Sequence, residues 1–215
     1  MMLINAARFA AFAPKALPGT LAALEAAAAE YHLSDPLVLA HWLGQMHVES
    51  AGFTRLAESL NYSVEGLLAT FGRHRISEAD CRRLGRIDKI EGGRKVTVRP
   101  ANQEAIANLV YGGEWGAKNL GNTQPGDGWK FRGSGFKQNT GRANITETGF
   151  TPEQLRTDVV AAAKAAAQFF VKHGCIPFAR ADDVPGLTKR INGGDNGLAV
   201  RIVQTKAAKR VMGLG

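Results

Sequence analysis

Leu39, Leu43 and Met46 recur at helical spacing behind Ser34-Asp35-Pro36, a capping pair with proline at the first helical position. The apolar helix they predict delivers Glu49 to its end, where Gly52 bends the chain. Upstream, Asn5 to Phe12 reads as a short apolar helix closed by Pro14 and Pro18. Thr20 reads as the N-cap of an Ala-rich helix from Leu21 to Tyr31, the segment of highest helix propensity. Downstream, helices are predicted over Val64 to Phe71, over Glu78 to Leu84 behind Ser77, and over Ala101 to Tyr111.

Two stretches break this pattern. Arg86 to Pro100 carries Gly92-Gly93 between short β-prone pieces, which predicts a small hairpin or an irregular loop. Gly112 to Gly141 holds glycines at 112, 113, 116, 121, 126, 128, 133, 135 and 141, and reads as a long functional loop. Helical pattern then resumes. Thr151-Pro152 starts a helix through Leu155, Asp158 opens one over Val159 to His173 that Gly174 ends, and Asp183 to Ile191 leads into a Gly/Asn turn at Asn192 to Gly197. A last helix runs from Leu198 to Met212 with Arg201, Lys206, Lys209 and Arg210. The expectation is an all-α chain of about eight or nine helices with at most one small β-hairpin.

Length and composition narrow the class. The 215 residues fit a single domain, with or without two lobes, and 45% hydrophobic against 21% charged residues is a globular composition. No apolar run approaches the roughly 20 residues that cross a bilayer. Asn5 and Arg8 interrupt the apolar start, so no signal peptide is expected. Cys81 and Cys175 do not make a disulfide framework and are expected as two buried free thiols. The net charge of +8 suits a polyanionic partner (nucleic acid, anionic lipid or an acidic wall polymer) or simply a solvated basic surface.

Candidate chemistry centres on two carboxylates. Glu58 follows Glu49 by nine positions, and a pair of acids is what glycosidic hydrolysis needs: one protonates the leaving oxygen, the other activates water. In an inverting enzyme they stand roughly 6.5 to 9.5 Å apart. At the end of an apolar helix Glu49 is expected to keep its proton, while Glu58, among Ser, Thr and Asn, is expected as the ionised base. On spacing alone the pair reads more readily as two ordinary surface glutamates, since two Glu residues nine apart are common.

Other chemistries find less support. His41 and His47 fall about 240° apart on a helix and do not share a face for a metal. His47 instead packs or hydrogen-bonds beside Glu49. Cys175 follows a helix-ending glycine, the wrong end of the dipole for an activated thiolate, and no Gly-x-Ser-x-Gly elbow occurs. Basic residues are spread along the chain rather than gathered on a recognition helix, so no nucleic acid is expected.

Taken together, the motifs resemble glycoside hydrolase family 19, the chitinase-like fold of the lysozyme superfamily. His47-Val48-Glu49-Ser50-Ala51-Gly52 resembles its His-x-Glu-(Ser/Thr)-x-Gly signature. Asn108-Leu109-Val110-Tyr111-Gly112-Gly113, the block from Gly126 to Asn144, and Ile191-Asn192-Gly193-Gly194 resemble further blocks in the same order. The block departs from the family at Ser134, where Arg is usual, and at Lys137 and Asn139, where apolar residues usually alternate into the core.

The resemblance implies a two-lobed lysozyme-like fold with a central cleft, spanning residues 1–215 as one catalytic domain without a separate wall-binding module. Glu49 would be the general acid, Glu58 the general base, and Thr140 would help hold the attacking water. Gln138, Asn144 and Asn192 match sugar-contacting positions. Tyr62, Tyr111 and Trp129 stand either along the groove or in the core, and Arg201 approaches from the last helix. No cofactor and no metal are implied. The compact form looks most like phage endolysins, with β-1,4 bonds of peptidoglycan as substrate and host lysis as outcome. A monomer is expected, reaching the periplasm from the host cytoplasm through a membrane lesion, with its basic C-terminal helix touching the anionic outer membrane. The alternatives are a chitinase and a non-catalytic envelope- or nucleic-acid-binding protein.

Overall fold

The computed structural model describes residues 3–215. The chain begins with α1 (Ala6–Phe12), α2 (Thr20–Glu30) and α3 (Pro36–Glu49). Next come α4 (Val64–Thr70), α5 (Glu78–Leu84), strands β1 (Ile87–Glu91) and β2 (Arg94–Arg99), α6 (Gln103–Val110), α7 (Gly113–Leu120), α8 (Asp127–Lys130) and α9 (Arg142–Glu147). Finally α10 (Pro152–Thr157), α11 (Val159–Lys172), α12 (Ile176–Arg180), α13 (Val184–Asn192) and α14 (Leu198–Val211) follow. The fold is mostly helical with one small antiparallel hairpin, as the residue pattern predicts. In the hairpin Glu91 opposes Arg94 across Gly92-Gly93, and both glycines have positive φ, the backbone a tight two-residue turn requires.

Three local expectations are corrected. The described residues hold fourteen helices. The stretch from Gly112 to Gly141 is not one loop, since α7 and α8 lie inside it. Its glycines mark close approach instead: a Cβ on Gly128 would fall 2.3 Å from the Ala107 carbonyl oxygen, so α8 lies directly on α6. Thr20 is the first residue of α2 rather than its cap. Gly19 takes the N-cap with left-handed backbone, and the Thr20 hydroxyl donates back to the Leu17 carbonyl at 2.7 Å.

The chain divides into two compact units. Unit 1 comprises the chain up to Ala57, Ser134–Gln138 and Glu153–Gly215. Its centre is α3, buried at every position from Val38 to Met46, which is the signature of a helix enclosed on all sides. Asp35 caps it, accepting from the Leu37 and Val38 amides. The small residues of α11, Ala161 to Ala163 and Ala165 to Ala167, are all buried in the same unit. α14 lies along α3 so tightly that a Cβ on Gly44 would meet the Thr205 Cα at 2.7 Å. Unit 2 comprises Glu58–Gly133 and Asn139–Pro152. Its core is built from Leu60, Leu67, Phe71, Ile76, Cys81, Leu84, Ile106, Ala107 and Val110. Cys81 and Cys175 are both buried and unpaired, as expected.

Candidate active site

In unit 1, Glu49 closes α3 and the chain then turns sharply. Ala51, Gly52 and Phe53 all have positive φ, a costly conformation for two of them. Two features hold the turn. The Ser50 hydroxyl donates to the Met46 carbonyl and accepts from the Phe53 amide. Phe53 is fully buried, edge-on to Phe136 with ring centroids 5.3 Å apart. The strain of the bend is thus offset by a core aromatic, and the turn fixes where α3 ends. His47 packs its ring 4.5 Å from that of Phe12, and burial pushes its pKa down. It serves as packing beside Glu49, as its sequence position suggested.

The apolar wall expected around Glu49 is replaced by a cation. Arg201 reaches in from α14 and is itself 5% exposed. Its Nη2 donates to Glu49 Oε1 at 2.6 Å and its Nη1 to Gln45 Oε1 at 2.5 Å. Its Nε donates to the Asn196 carbonyl at 3.2 Å. Gln45 lies one helical turn before Glu49, so both face α14. Each nitrogen of the guanidinium has an acceptor, the arrangement a buried ion pair needs to be sustained. Asn192 helps build it indirectly. Its Nδ2 donates to the same Asn196 carbonyl and its Oδ1 accepts from the Gly194 amide, so Asn192 folds the turn on which Arg201 leans.

In unit 2, Glu58 is held by two donors. The Tyr111 hydroxyl gives a hydrogen bond to Oε1 at 2.6 Å, and the Gly133 amide one to Oε2 at 3.0 Å. The Glu58 amide returns a bond to the Gly133 carbonyl at 2.9 Å. Burial, followed by the Glu58 charge, pushes the Tyr111 pKa upward, so the phenol stays a donor. Tyr111 belongs to an aromatic cluster with Phe71, and Arg75 stacks against Phe71, Tyr111 and, at 3.8 Å, Trp115. Tyr62 is edge-on to Phe71 in the same cluster, its pKa raised by burial and by Glu58.

The other sequence-selected residues are placed as follows. Asn144 donates to the Thr140 carbonyl at 2.7 Å and closes the turn into α9. Gln138 sits with φ 57° and donates to the Gly135 carbonyl at 2.8 Å. Trp129 is covered by the Arg132 guanidinium at 3.6 Å. Ser134 and Asn139 are buried, and Lys137 lies over the Phe169 ring at 4.4 Å. So Glu49, Arg201 and Lys137 are grouped in unit 1, and Glu58, Tyr111 and Tyr62 in unit 2. On α14, Arg201 points inward and Lys209 pairs with Asp182 at 2.6 Å, which leaves Lys206 and Arg210 as its exposed cations.

Gln45, Gly133 and Arg75 were not singled out from the sequence. Gln45 had a signal: a polar residue one turn before Glu49 in an otherwise apolar helix. Gly133 and Arg75 had none, because a backbone amide and one arginine among many carry no pattern.

Among the described residues no group of three or more His, Cys, Asp or Glu could hold a metal ion. Burial pushes the Cys175 thiol up to about 11, which leaves it without thiolate character at neutral pH. Each unit thus offers one carboxylate of fixed orientation, a group suited to acid–base chemistry. The chain matches no protein-family model. It is 30% identical, over 206 residues, to a glycosyl hydrolase family 19 domain-containing protein of Haemophilus influenzae. The match covers 93% of this chain and 92% of that relative. With the blocks that carry Glu49, Tyr111, Gln138 and Asn192 set in a mostly helical chain, this identity over nearly its whole length assigns the protein: it belongs to glycosyl hydrolase family 19.

Proposed function

We propose that the protein cuts β-1,4 bonds of bacterial peptidoglycan as an inverting hydrolase of the phage endolysin type, with Glu49 as general acid and Glu58 as general base. The observation that carries this reading is the Glu49–Arg201–Gln45 arrangement. A general acid becomes an anion as it gives up its proton. A guanidinium already within hydrogen-bond reach stabilises that product without rearranging. Glu58 has the complementary arrangement for a base. Tyr111 and Gly133 orient the carboxylate, yet two donors leave further lone-pair positions for water. Thr140 is assigned to help hold that water. The net charge of +8 suits an anionic bacterial envelope.

The test is turbidity loss on outer-membrane-permeabilised Gram-negative cells, beside a soluble chitin oligomer, with reducing ends counted in both. Lysis with new reducing ends, lost in Glu49→Gln, is the expected result. Cleavage of the chitin oligomer alone would replace peptidoglycan with chitin. An anhydro product would point to a one-acid lytic transglycosylase, and no cleavage of either substrate would remove the hydrolase reading.

A further inference from the structure

Lys137 sits in the segment Ser134–Gln138, which the fold holds in place on both sides. The Gly135 amide donates to the Leu56 carbonyl at 2.8 Å, and Ser134 bridges to Ala57. Phe136 is fully buried against Phe53. Between these anchors and the turn at Gln138, Lys137 is half-buried with its ammonium 4.4 Å from the centre of the Phe169 ring. Phe169 is fixed in turn, stacked on His173 at 4.2 Å.

The surroundings of this ammonium are unusual. Among the described residues it forms no ion pair. Burial pulls its pKa down, the nearby Glu49 charge opposes that, and Arg201 adds to it. Glu49 is the attractive charge, yet its Oε1 is already held by Arg201. A half-desolvated cation supported by one aromatic face lacks the hydrogen bonds that normally offset its burial. Aliphatic packing of the stem does not require the charge, since methionine would fill the same space.

We propose that Lys137 binds an anionic carboxylate substituent on the amino sugar beside the scissile bond, so that the protein favours acid-bearing glycans over neutral ones. The inference rests on the reading of Glu49 as the acid that meets that bond. In peptidoglycan every second sugar carries a lactyl ether on its third ring carbon, ending in a carboxyl that is either free or joined to the peptide stem. In chitin the same carbon carries a neutral hydroxyl. An ammonium close to Glu49 reaches a substituent on a ring adjoining the bond. With Phe169 behind it, the ammonium is pre-organised and partly dehydrated, which strengthens a new charge-assisted bond.

The experiment measures binding, so that its outcome does not depend on turnover. Three proteins are compared by co-sedimentation, all in the Glu58→Gln background to prevent cleavage: Lys137, Lys137→Met and Lys137→Arg. The probes are purified sacculi, sacculi stripped of peptide stems by an amidase, and chitin particles. The expected result is a roughly tenfold loss of sacculus affinity for Lys137→Met relative to any change on chitin, with Lys137→Arg recovering most of it. The amidase frees the lactyl carboxylate from its amide, so a loss larger on stripped than on intact sacculi identifies that carboxylate as the bound group. Loss on intact sacculi alone identifies carboxylates of the stem. Unchanged sacculus binding, or an equal fall on sacculi and chitin, overturns the proposal. Thermal unfolding of Lys137→Met checks that the fold is kept. A Lys137-dependent preference for sacculi, found in a protein whose unsubstituted form releases no reducing ends, would uphold the binding role and remove the hydrolase reading.

Discussion

The Tyr111 hydroxyl points at Glu58 and donates to it at 2.6 Å, across 53 residues of sequence. Tyr111 therefore acts through Glu58, and its ring is embedded in the aromatic cluster of unit 2. Tyr111→Phe keeps the ring and removes the donor. The expected result is a drop in kcat of roughly tenfold to a hundredfold with little change in KM, since a misaimed base costs rate more than affinity. Unfolding should shift by only about 1 kcal/mol, the net worth of one hydrogen bond. A raised KM with kcat intact would instead make Tyr111 a substrate contact.

Arg201 predicts a sharper effect. Removing it leaves Glu49 and Gln45 without their donor inside the unit, and breaking a buried ion pair costs about 3–5 kcal/mol. Arg201→Ala should therefore lower both thermal stability and activity. Arg201→Lys supplies one ammonium where three acceptors stood, so partial stability with strongly reduced kcat is expected. Full activity in Arg201→Lys would show that the charge alone suffices.

Gly44→Ala tests the spacing of α3 and α14. The substitution gains about 1 kcal/mol of helix propensity. It also drives a Cβ to 2.7 Å from the Thr205 Cα, which is backbone and has no rotamer to retreat into. Overpacking costs typically about 1–3 kcal/mol, so net destabilisation is expected in a melting experiment. Because Arg201 rides on α14, activity should fall further than stability alone explains.

How much of this was legible beforehand differs from residue to residue. The helix carrying Glu49 is announced by Asp35-Pro36 and by Leu39, Leu43 and Met46, all local signals. The hairpin is announced by Gly92-Gly93. The partner of Glu49 is reached only through the family resemblance, which points to Arg201, because nothing local says which of the cations of α14 turns inward. Apolar neighbours in sequence therefore suggested an apolar wall, while the real neighbour comes from 152 positions away. Gly112 to Gly141 misled in another way. Glycine reads as looseness in sequence, whereas at Gly128 it marks two backbones pressed together. For Tyr111 the sequence left groove and core equally open, and the structure gives a hydrogen bond to Glu58.

Stability should depend on pH through two histidines, one buried and one half-buried. His41 is fully buried, and burial pushes its pKa down although Asp182 Oδ1, 2.7 Å from Nε2, opposes the shift; Lys209 and Asp183 also face it. His47 is shifted the same way by burial. In the unfolded chain each takes its proton near pH 6.5. The folded state takes it only at lower pH, so the unfolded state binds more protons below that value. Their contribution is constant above about pH 6.5 and is lost as pH falls through the folded pKa values. Melting temperatures measured from pH 8 down to pH 5 should decline in that window, with a smaller decline in His41→Gln. A flat profile would contradict the burial effect.

The lean of Arg201 on Glu49 also has a temporal side. The two residues are 152 positions apart, and Gln45 is 156 from the same arginine. During synthesis α3 leaves the ribosome long before α14, so its apolar face waits for a cover that is translated far later. Chain segments that must wait this way rely on slow, long-range closure. The last helix of unit 1 to be made is then also the one that gives Glu49 its cation. A nascent chain halted before residue 201 carries both glutamates but not the arginine that holds the first in place.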